Sequence, residues 1–328
     1  MEKELKRLPA EFVRRLREIY PYHFLSLSRS FRGREELVFR LNYLRIERQE
    51  ALKYLESLAF KFKEVNWLRG SFVSAAGSKQ LLQASSLYQE GKIYIQGLSS
   101  MFAAYTLEAQ AGENIGDFCA SPGGKATFLA SWLRGNCCIT AFEKQKVRFY
   151  KLMANLRHQA AEKAVKAYIF DAGYAFRKYP EYFERILVDA PCSAEGRFLI
   201  NNPRTWRYWS ERKIRESQRR QKRILFSAVK SLKPQGVLVY STCTFAPEEN
   251  EEVIDWLLRK FPRTLELEKI KTPFSNVVCG LSSFRGRRFS DSLKLACRII
   301  PAGGMEGFFV AKLRKLKGGG NGSGRENL

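Results

Sequence analysis

The feature of this sequence that most limits its fold is a series of short, nearly continuous apolar runs that begins near residue 115. The runs cover residues 115–118, 137–142, 165–170, 186–188 and 237–240, and longer segments with helical character separate them. Apolar runs without alternation are typical of parallel strands that are buried on both faces beneath covering helices. The pattern predicts an α/β fold with a doubly wound, Rossmann-like sheet, in which a ligand binds beyond the carboxyl ends of the strands.

A glycine pair follows the first predicted strand, in the segment DFCASPGGKATFLA at residues 117–130. Glycines in a turn that leads into a helix let the backbone approach a ligand closely, and the free amides at the helix start attract anionic groups. A P-loop would need glycine at Cys119 and Ser or Thr at Ala126, and the G-x-G-x-x-G pattern is also absent. The turn therefore favours a nucleotide-like cofactor other than ATP or NAD.

Acidic residues follow three successive predicted strands. Glu143 ends the second strand, 20 residues after Gly123, where dinucleotide-binding folds place an acid against ribose hydroxyls. Asp171 ends the third strand within FDAG, and Asp189 ends the fourth within VDAPCS. Because each acid lies at the edge where the ligand must bind, their joint occurrence favours a binding site over solvated loop positions.

Two cysteines are expected to lie in the same pocket. Pro191 forces an extended turn after the fourth strand, which places Cys192 at the sheet edge, and Cys243 follows the fifth strand within YSTCT. Neighbouring strands lie about 4.8 Å apart, so both sulfurs should line one cavity. From the residues alone, either thiol could be a nucleophile. The seven cysteines and two histidines fit neither a disulfide framework nor a zinc site.

The charge balance indicates a polyanionic partner. The chain has 57 Lys and Arg against 33 Asp and Glu, a net charge of +24, which favours nucleic acid. Residues 202–223 interleave Trp206, Tyr208 and Trp209 with nine basic residues, a composition suited to single-stranded or flipped bases. Further basic runs at residues 3–17, 29–34 and 285–288 could contact a phosphate backbone.

Taken together, these segments resemble the S-adenosylmethionine-dependent RNA cytosine-5 methyltransferases of the Sun/Fmu (RsmB-like) family. The matching segments are FRLNYLR, GKIYIQGLSSM, DFCASPGGKATFLA, AFEKQ, FDAG, DAPCSAEGRF, YSTCTFAPEENEEV and PAGGMEGFFVAKL. They cover most of residues 38–313 in order, and the two cysteine motifs together are highly specific. The resemblance implies methylation of carbon 5 of a cytidine in rRNA or tRNA through a covalent cysteine–RNA intermediate.

The resemblance also implies roles for individual residues. Cys243 would be the nucleophile, and Cys192 would assist release of the product. Independently of the resemblance, the ring needs protonation or a hydrogen bond at N3, and Asp189 is suitably placed to supply it if it is kept protonated or shares a proton with the base. The residues implied to bind S-adenosylmethionine are Cys119, Ala120, Ser121, Pro122, Gly123, Gly124, Lys125, Glu143, Asp171 and Asp189. The chain departs from the usual family pattern at Ser121, Ala126, Ala194 and Ala302, which bears on cofactor affinity. DNA methyltransferases use a Pro-Cys thiol, so an exchange of the two cysteine roles is the mechanistic alternative.

Three regions are predicted along the chain. An N-terminal α+β domain at residues 1–95, with a strand at 38–42 and a helix at 47–60, would bind RNA. The methyltransferase domain would cover residues 96–316, and residues 317–328 would form a disordered tail.

No apolar run is long enough to cross a bilayer and the first residues lack a secretory signal, so we expect a cytoplasmic protein without membrane contact. No motif points to an obligate protein partner. The competing function is an RNA-binding factor without catalysis.

Overall fold

The computed structural model describes residues 2–33, 36–58 and 61–317. Its N-terminal part contains a four-stranded antiparallel sheet in the order β2-β3-β1-β4, covered by short helices. These elements are α1 (Glu2–Leu5), α2 (Ala10–Ile19), α3 (Phe24–Ser30), β1 (Glu36–Leu41), α4 (Arg48–Ser57), β2 (Phe62–Glu64), β3 (Ser71–Ala75), α5 (Lys79–Ala84), α6 (Ser86–Gln89) and β4 (Ile93–Ile95). The predicted strand and helix of this part are β1 and α4, and residues 59–60 of the predicted helix lie outside the described residues.

The larger sheet forms the centre of the molecule, with its parallel strands in the order β9-β8-β5-β6-β7. This arrangement confirms the predicted doubly wound α/β fold and places β8 and β9 side by side. Its elements are α7 (Leu98–Tyr105), β5 (Asn114–Asp117), α8 (Gly124–Trp132), β6 (Cys138–Glu143), α9 (Lys146–His158), β7 (Val165–Ile169), β8 (Phe183–Asp189), α10 (Glu211–Ser231), β9 (Leu232–Thr242) and α11 (Glu251–Lys260). Helices and the sheet share two large apolar clusters, so β5, β6, β8 and β9 are mostly buried, as the uninterrupted runs predicted. The prediction of burial on both faces is wrong for β7, because this strand lies at the edge of the sheet and exposes Tyr168 and Ile169.

Antiparallel strands extend this sheet beyond β9, which makes it a mixed sheet. They are β10 (Leu265–Glu268), β11 (Val277–Cys279), β14 (Cys297–Ile299) and β15 (Phe308–Lys315), while β12 (Ser283–Phe284) and β13 (Arg287–Arg288) form a separate ribbon. Strand β15 pairs with β9 and with β10 and β14, all antiparallel. An antiparallel neighbour needs no crossover helix, so a search for alternating strands and helices does not find these strands.

The first thirty residues pack against loops of the larger sheet. Apolar side chains of α1 to α3 share a cluster with Phe198, Phe245 and Ile300. The buried Arg15 of α2 donates hydrogen bonds to Glu248 at 2.6 Å and to Glu211 at 3.1 Å. Residues 2–31 and residues 36–95 therefore have different packing partners. The proposed boundaries at residues 95 and 316 remain predictions, and residues 318–328 of the predicted tail lie outside the described residues.

No helix in the described part of the chain is long and apolar enough to cross a membrane. All seven cysteines lie among the described residues, and each is a free thiol.

Candidate active site

A cavity of about 520 Å³ opens at the carboxyl ends of the parallel strands. This volume falls in the range of small-molecule sites, about 300–1,000 Å³. The sequence-predicted residues that line it are Cys119, Ala120, Ser121, Pro122, Gly124, Lys125, Glu143, Asp171, Asp189, Cys192 and Cys243. The structure thus brings together residues from five strand ends, as expected for the ligand site of a doubly wound sheet.

Gly123 is the one predicted site residue that does not line the cavity, and its role is to shape the turn. Its φ of +108° is left-handed, a conformation that residues with a side chain rarely adopt. A Cβ atom there would lie 3.0 Å from Cδ1 of Leu152. Helix α8 begins immediately afterwards, so this turn sets the direction in which the helix N-terminus meets the cavity.

Asp117 is a cavity residue that the sequence reasoning did not select, although it ends the first strand as the other acids end theirs. Its Oδ1 accepts the backbone N–H of Cys119 at 3.3 Å, whereas no described residue donates to the buried Oδ2. Burial raises the pKa of this carboxyl to about 7, with the nearby charges of Asp189 and Glu143 adding to the rise and Lys125 opposing it. A buried, unpaired acceptor of this kind is suited to a cationic or hydrogen-bond-donating ligand.

Two further strand-end acids, Glu143 and Asp171, are held in defined orientations. Glu143 is buried and accepts the backbone N–H of Gln145 at 2.8 Å. Asp171 accepts hydrogen bonds from Lys144 and Arg223, each at 2.9 Å, and from the N–H of Gly173 at 3.0 Å. Burial opposes ionisation of Asp171, but these donors outweigh it and hold its pKa below the usual value.

The Sγ atoms of Cys192 and Cys243 lie 3.5 Å apart, on the loops that follow β8 and β9. The hydrogen bond with Cys192 lowers the pKa of the Cys243 thiol to about 7, against the opposing effect of burial, and the positive charge of Arg197 adds to the decrease. The same hydrogen bond and burial raise the pKa of Cys192 well above its ordinary value. The lowered pKa of Cys243 beside the raised pKa of Cys192 favours Cys243 as the thiolate and Cys192 as the hydrogen-bond donor.

Buried carboxyl groups hold the two cysteine loops. Glu249 accepts hydrogen bonds from both the N–H and the hydroxyl of Ser193, the residue after Cys192. Burial raises the pKa of Glu249 to about 8. Glu195 accepts the N–H of Phe245 at 2.9 Å and the Thr244 hydroxyl at 2.8 Å, which ties the Cys192 loop to the Cys243 loop. These contacts fix the spacing of the two thiols.

Asp189 lies between an ammonium group and a hydroxyl group. Its Oδ2 is 2.6 Å from Nζ of Lys125, and its Oδ1 accepts the hydroxyl of Ser241 at 2.9 Å. Lys125, which the resemblance assigned to cofactor binding, thus contacts the acid expected to meet the base. The pair presents a charged donor and a carboxylate to the same cavity that the two thiols line.

The basic and aromatic segment at residues 202–223 divides into a packed part and a solvated part. Trp206 and Trp209 pack with the N-terminal helices, and their indole N–H groups bond to Leu199 and Glu195. Tyr208 is 62% exposed, with Arg207 over its ring at 4.5 Å. Only Tyr208 of the three expected stacking residues is therefore free to meet a base, because hydrophobic packing takes up the two tryptophans.

Three further residues that were not predicted from the sequence also line the cavity, namely Gln96, Ser100 and Arg197. Gln96 and Ser100 lie within the segment GKIYIQGLSSM, which contributed to the resemblance but carries no strand-end signal of the larger sheet. Arg197 lies in a 3-10 turn after Cys192, and the thiolate of Cys243 raises the pKa of its guanidinium. These three residues reach the cavity through contacts between segments that are distant in sequence, so local patterns do not indicate them.

Comparison with known proteins identifies similar chains. A family model described as 16S rRNA methyltransferase RsmB/F matches residues 104–314. A tRNA (cytosine(49)-C(5))-methyltransferase of Pyrococcus abyssi is 37% identical over 84% of this chain and 87% of that protein. The ribosomal RNA small subunit methyltransferase F of Pectobacterium carotovorum is 31% identical over 94% of this chain, which spans 63% of that longer protein.

A solved structure supports the same relationship. A methyltransferase homolog protein of Pyrococcus horikoshii superimposes with a TM-score of 0.82 at 31% sequence identity, covering 96% of this chain and 98% of that chain. The match therefore includes the N-terminal part as well as the larger sheet.

Proposed function

Since the chain belongs to the RsmB/F family of 16S rRNA methyltransferases, we propose that it methylates carbon 5 of a cytidine in rRNA or tRNA, with S-adenosylmethionine as the methyl donor. It is an RNA cytosine-C5 methyltransferase, and Cys243 is its nucleophile. The observation that carries the mechanism is the pair of thiols 3.5 Å apart in the cavity beside the glycine turn. An RNA-binding factor without catalysis would have no use for a thiolate held in this way.

The residues of the cavity fit S-adenosylmethionine. The cofactor carries an ammonium group and ribose hydroxyls, which are donors, and it is positively charged at sulfur. The unpaired Oδ2 of Asp117 would accept the ammonium group, and the carboxylate of Glu143 would accept the ribose hydroxyls. Asp171, beyond Glu143, would contact the base of the cofactor. When bound, the cofactor supplies a methyl group that is electrophilic enough for carbon–carbon bond formation.

Cys243 prepares the cytidine for this reaction. Carbon 5 of cytosine is a weak nucleophile, and addition of a thiolate at carbon 6 converts the ring to an enamine that is nucleophilic at carbon 5. A pKa of about 7 leaves a large fraction of Cys243 as thiolate at neutral pH. The hydrogen bond from Cys192 and the charge of Arg197 thus activate the nucleophile without a histidine.

Lys125 and Asp189 are proposed to contact the edge of the cytosine ring that carries N3, across the ring from carbon 6. Negative charge that develops on the ring during thiolate addition needs a donor at N3, and a base held there also needs a fixed orientation. The Lys125 ammonium group supplies the proton or hydrogen bond, directly or through Asp189, with which it is paired at 2.6 Å. The exocyclic amino group of cytosine is a donor, which the Asp189 carboxylate accepts.

Cys192 assists release of the methylated base. Elimination removes the proton from carbon 5, re-forms the double bond between carbons 5 and 6, and breaks the bond from carbon 6 to Sγ of Cys243. The Cys192 thiol can pass its proton to the departing sulfur as its own sulfur accepts the proton from carbon 5, whose electron pair forms the double bond, because the two Sγ atoms are in contact. One proton then passes to solvent, which balances methylation of a neutral base by a sulfonium ion.

Basic residues that line the cavity favour RNA as the substrate. Arg220 and Arg223 of α10 line the cavity, and Tyr208 is exposed near the start of the same helix. A flipped cytidine needs contacts to its phosphates and a stacking partner for neighbouring bases. The solvated part of residues 202–223 supplies both, and the small N-terminal sheet is proposed to contact a further part of the RNA.

In vitro methylation tests this function and separates its two possible substrates. Purified protein with S-adenosylmethionine is offered tRNA or small-subunit rRNA from cells that lack the gene, followed by bisulfite sequencing. We expect a newly protected cytidine in one of the two RNAs, only when S-adenosylmethionine is present. RNA binding without any protected cytidine in either RNA would favour the non-catalytic factor instead.

Cofactor binding is expected to depend on pH through Asp117. Its pKa of about 7 means that the free protein holds a proton there at lower pH, which must leave before an ammonium group can bind. Affinity for S-adenosylmethionine, measured by calorimetry, should therefore weaken up to about tenfold per pH unit below 7. Asp117→Asn should bind more weakly and lose this dependence, whereas Asp291→Asn, on an exposed turn, should match the wild type. An unchanged pH dependence in Asp117→Asn would exclude the role.

A further inference from the structure

A buried guanidinium group connects the N-terminal sheet to the active site. Arg40 of β1 is almost completely buried and has no ion pair with a described residue. Its Nε donates to Oε1 of Gln96 at 2.8 Å, and its second amino group donates to the hydroxyl of Thr127 in α8 at 2.9 Å. The guanidinium also lies over the ring of Tyr94 at 5.1 Å. Burial lowers the pKa of Arg40 to about 10, so it remains a cation at neutral pH.

The chemistry of Arg40 fixes the orientation of Gln96. A guanidinium group can only donate hydrogen bonds, so the amide of Gln96 must present its oxygen to Arg40. The amide nitrogen then faces the other way, where Nε2 donates to the hydroxyl oxygen of Ser100 at 3.2 Å. A cation that is buried without a carboxylate therefore sets the direction of the next hydrogen bond.

Ser100 receives a second hydrogen bond from the catalytic lysine. Nζ of Lys125 donates to Oγ of Ser100 at 2.9 Å and to Oδ2 of Asp189 at 2.6 Å. An ammonium group has three N–H donors, so these two bonds leave one donor for a ligand in the cavity that Lys125 lines. The position of that donor depends on Ser100, because a lysine chain has four rotatable bonds and Asp189 alone supplies only one contact.

We propose that Ser100 and Gln96, oriented by Arg40, are positioning residues that hold the Lys125–Asp189 pair in the geometry needed by the cytosine ring. The chain of hydrogen bonds runs from the N-terminal sheet through α7 to the catalytic pair, so that sheet contributes to the chemical step as well as to RNA binding. This inference rests on the proposed function, since it assigns Lys125 to the base. A displacement of about 1 Å at such a group is enough to reduce turnover strongly.

Ser100→Ala tests the last contact before Lys125. We expect kcat to fall about tenfold or more, the effect of losing one hydrogen bond to a charged group, while KM for RNA and for S-adenosylmethionine changes less than about twofold. Ser100→Thr keeps the hydroxyl and should restore most of the lost kcat. Ser99→Ala is the matched control, because Ser99 is the neighbouring, fully buried serine of α7, and its hydroxyl donates to the backbone carbonyl of Glu306 instead.

Gln96→Glu tests the direction of the hydrogen bond between residue 96 and Ser100, and it does so without opening a cavity. A carboxylate still accepts from Arg40, so folding and melting temperature should be maintained, but it cannot donate to Ser100. The Ser100 hydroxyl must then turn to donate to it, and the added negative charge competes with Asp189 for the Lys125 ammonium group. We expect kcat to fall with little change in KM, as for Ser100→Ala.

The outcomes separate this inference from the proposed function. Absence of methylation by the wild-type protein would show that the proposed function is wrong. An active wild type with unchanged kcat in both Ser100→Ala and Gln96→Glu would overturn the positioning role while leaving the function intact. A rise in KM for S-adenosylmethionine with unchanged kcat would also overturn it, because these residues would then bind the cofactor directly.

Discussion

Cys243→Ala is expected to abolish methylation, with turnover reduced by at least about 10⁴-fold. Without a thiolate at carbon 6, carbon 5 has no enamine to react. Burial, which does not depend on Cys243, continues to disfavour ionisation of the second thiol, so Cys192 should not take over. The variant should still bind RNA and S-adenosylmethionine with wild-type affinity. Incorporation of a labelled methyl group into RNA measures the loss, and separate binding assays show that the fold and cavity are retained.

Cys138→Ala is the matched control for this variant. Cys138 is an exposed free thiol at the start of β6, outside the cavity, so its replacement should leave turnover unchanged. Substantial methylation by Cys243→Ala, with Cys192 intact, would mean that the two thiols have exchanged roles.

Cys192→Ala is expected to fail at a later stage and to accumulate a covalent protein–RNA adduct. Cys243 remains able to attack, and methyl transfer can follow, but the thiol that protonates the departing sulfur is missing. Product release should slow by about 10²-fold or more, the usual contribution of a positioned acid or base. Denaturing electrophoresis should therefore show RNA attached to the protein in the presence of S-adenosylmethionine.

The same variant also loses the hydrogen bond that lowers the pKa of Cys243. Adduct formation should consequently be slower at neutral pH and recover toward pH about 8.5, the ordinary thiol range. If Cys192→Ala instead turns over at the wild-type rate without an adduct, the pair is a packing contact and Cys192 has no role in release.

Local sequence patterns were sufficient for the parallel part of the sheet and for most of the cavity lining. Uninterrupted apolar runs identify buried parallel strands, and the topology of such sheets brings Glu143, Asp171 and Asp189 to one edge. The adjacency of β8 and β9 likewise places Cys192 beside Cys243. The assignment of the nucleophile needed the family resemblance, because strand-end positions do not distinguish two thiols.

Contacts between distant segments were not predictable in this way. Arg15 bonds to Glu248, and Arg298 bonds to the hydroxyl of Tyr20 and to the carbonyl of Phe245, so the N-terminal helices support the loop after Cys243. These are buried polar interactions between segments more than 50 residues apart. Apolar periodicity carries no information about them, because it reports only which faces are buried.

The orientation of Gln96 by Arg40 likewise depends on a contact between distant segments, so local sequence patterns could not predict it. Nothing in the local pattern of β1 indicates that its one arginine, Arg40, is buried, since strand propensity and alternation describe apolar side chains. The bond from Lys125 to Ser100 likewise joins two helices that are separate in sequence.

The central claim is that Cys243 forms the covalent bond to RNA, and identification of the cross-linked residue tests it most directly. Cys192→Ala is incubated with S-adenosylmethionine and with the unmethylated form of the RNA that the methylation assay identifies as the substrate. The product is digested with protease and nuclease, and the peptide that carries a nucleotide is sequenced by mass spectrometry. We expect a 5-methylcytidine adduct on the peptide that contains Cys243, and no adduct in the variant that lacks both thiols. A nucleotide attached at another residue, or attached to Cys192 in the Cys243→Ala protein, would contradict the account.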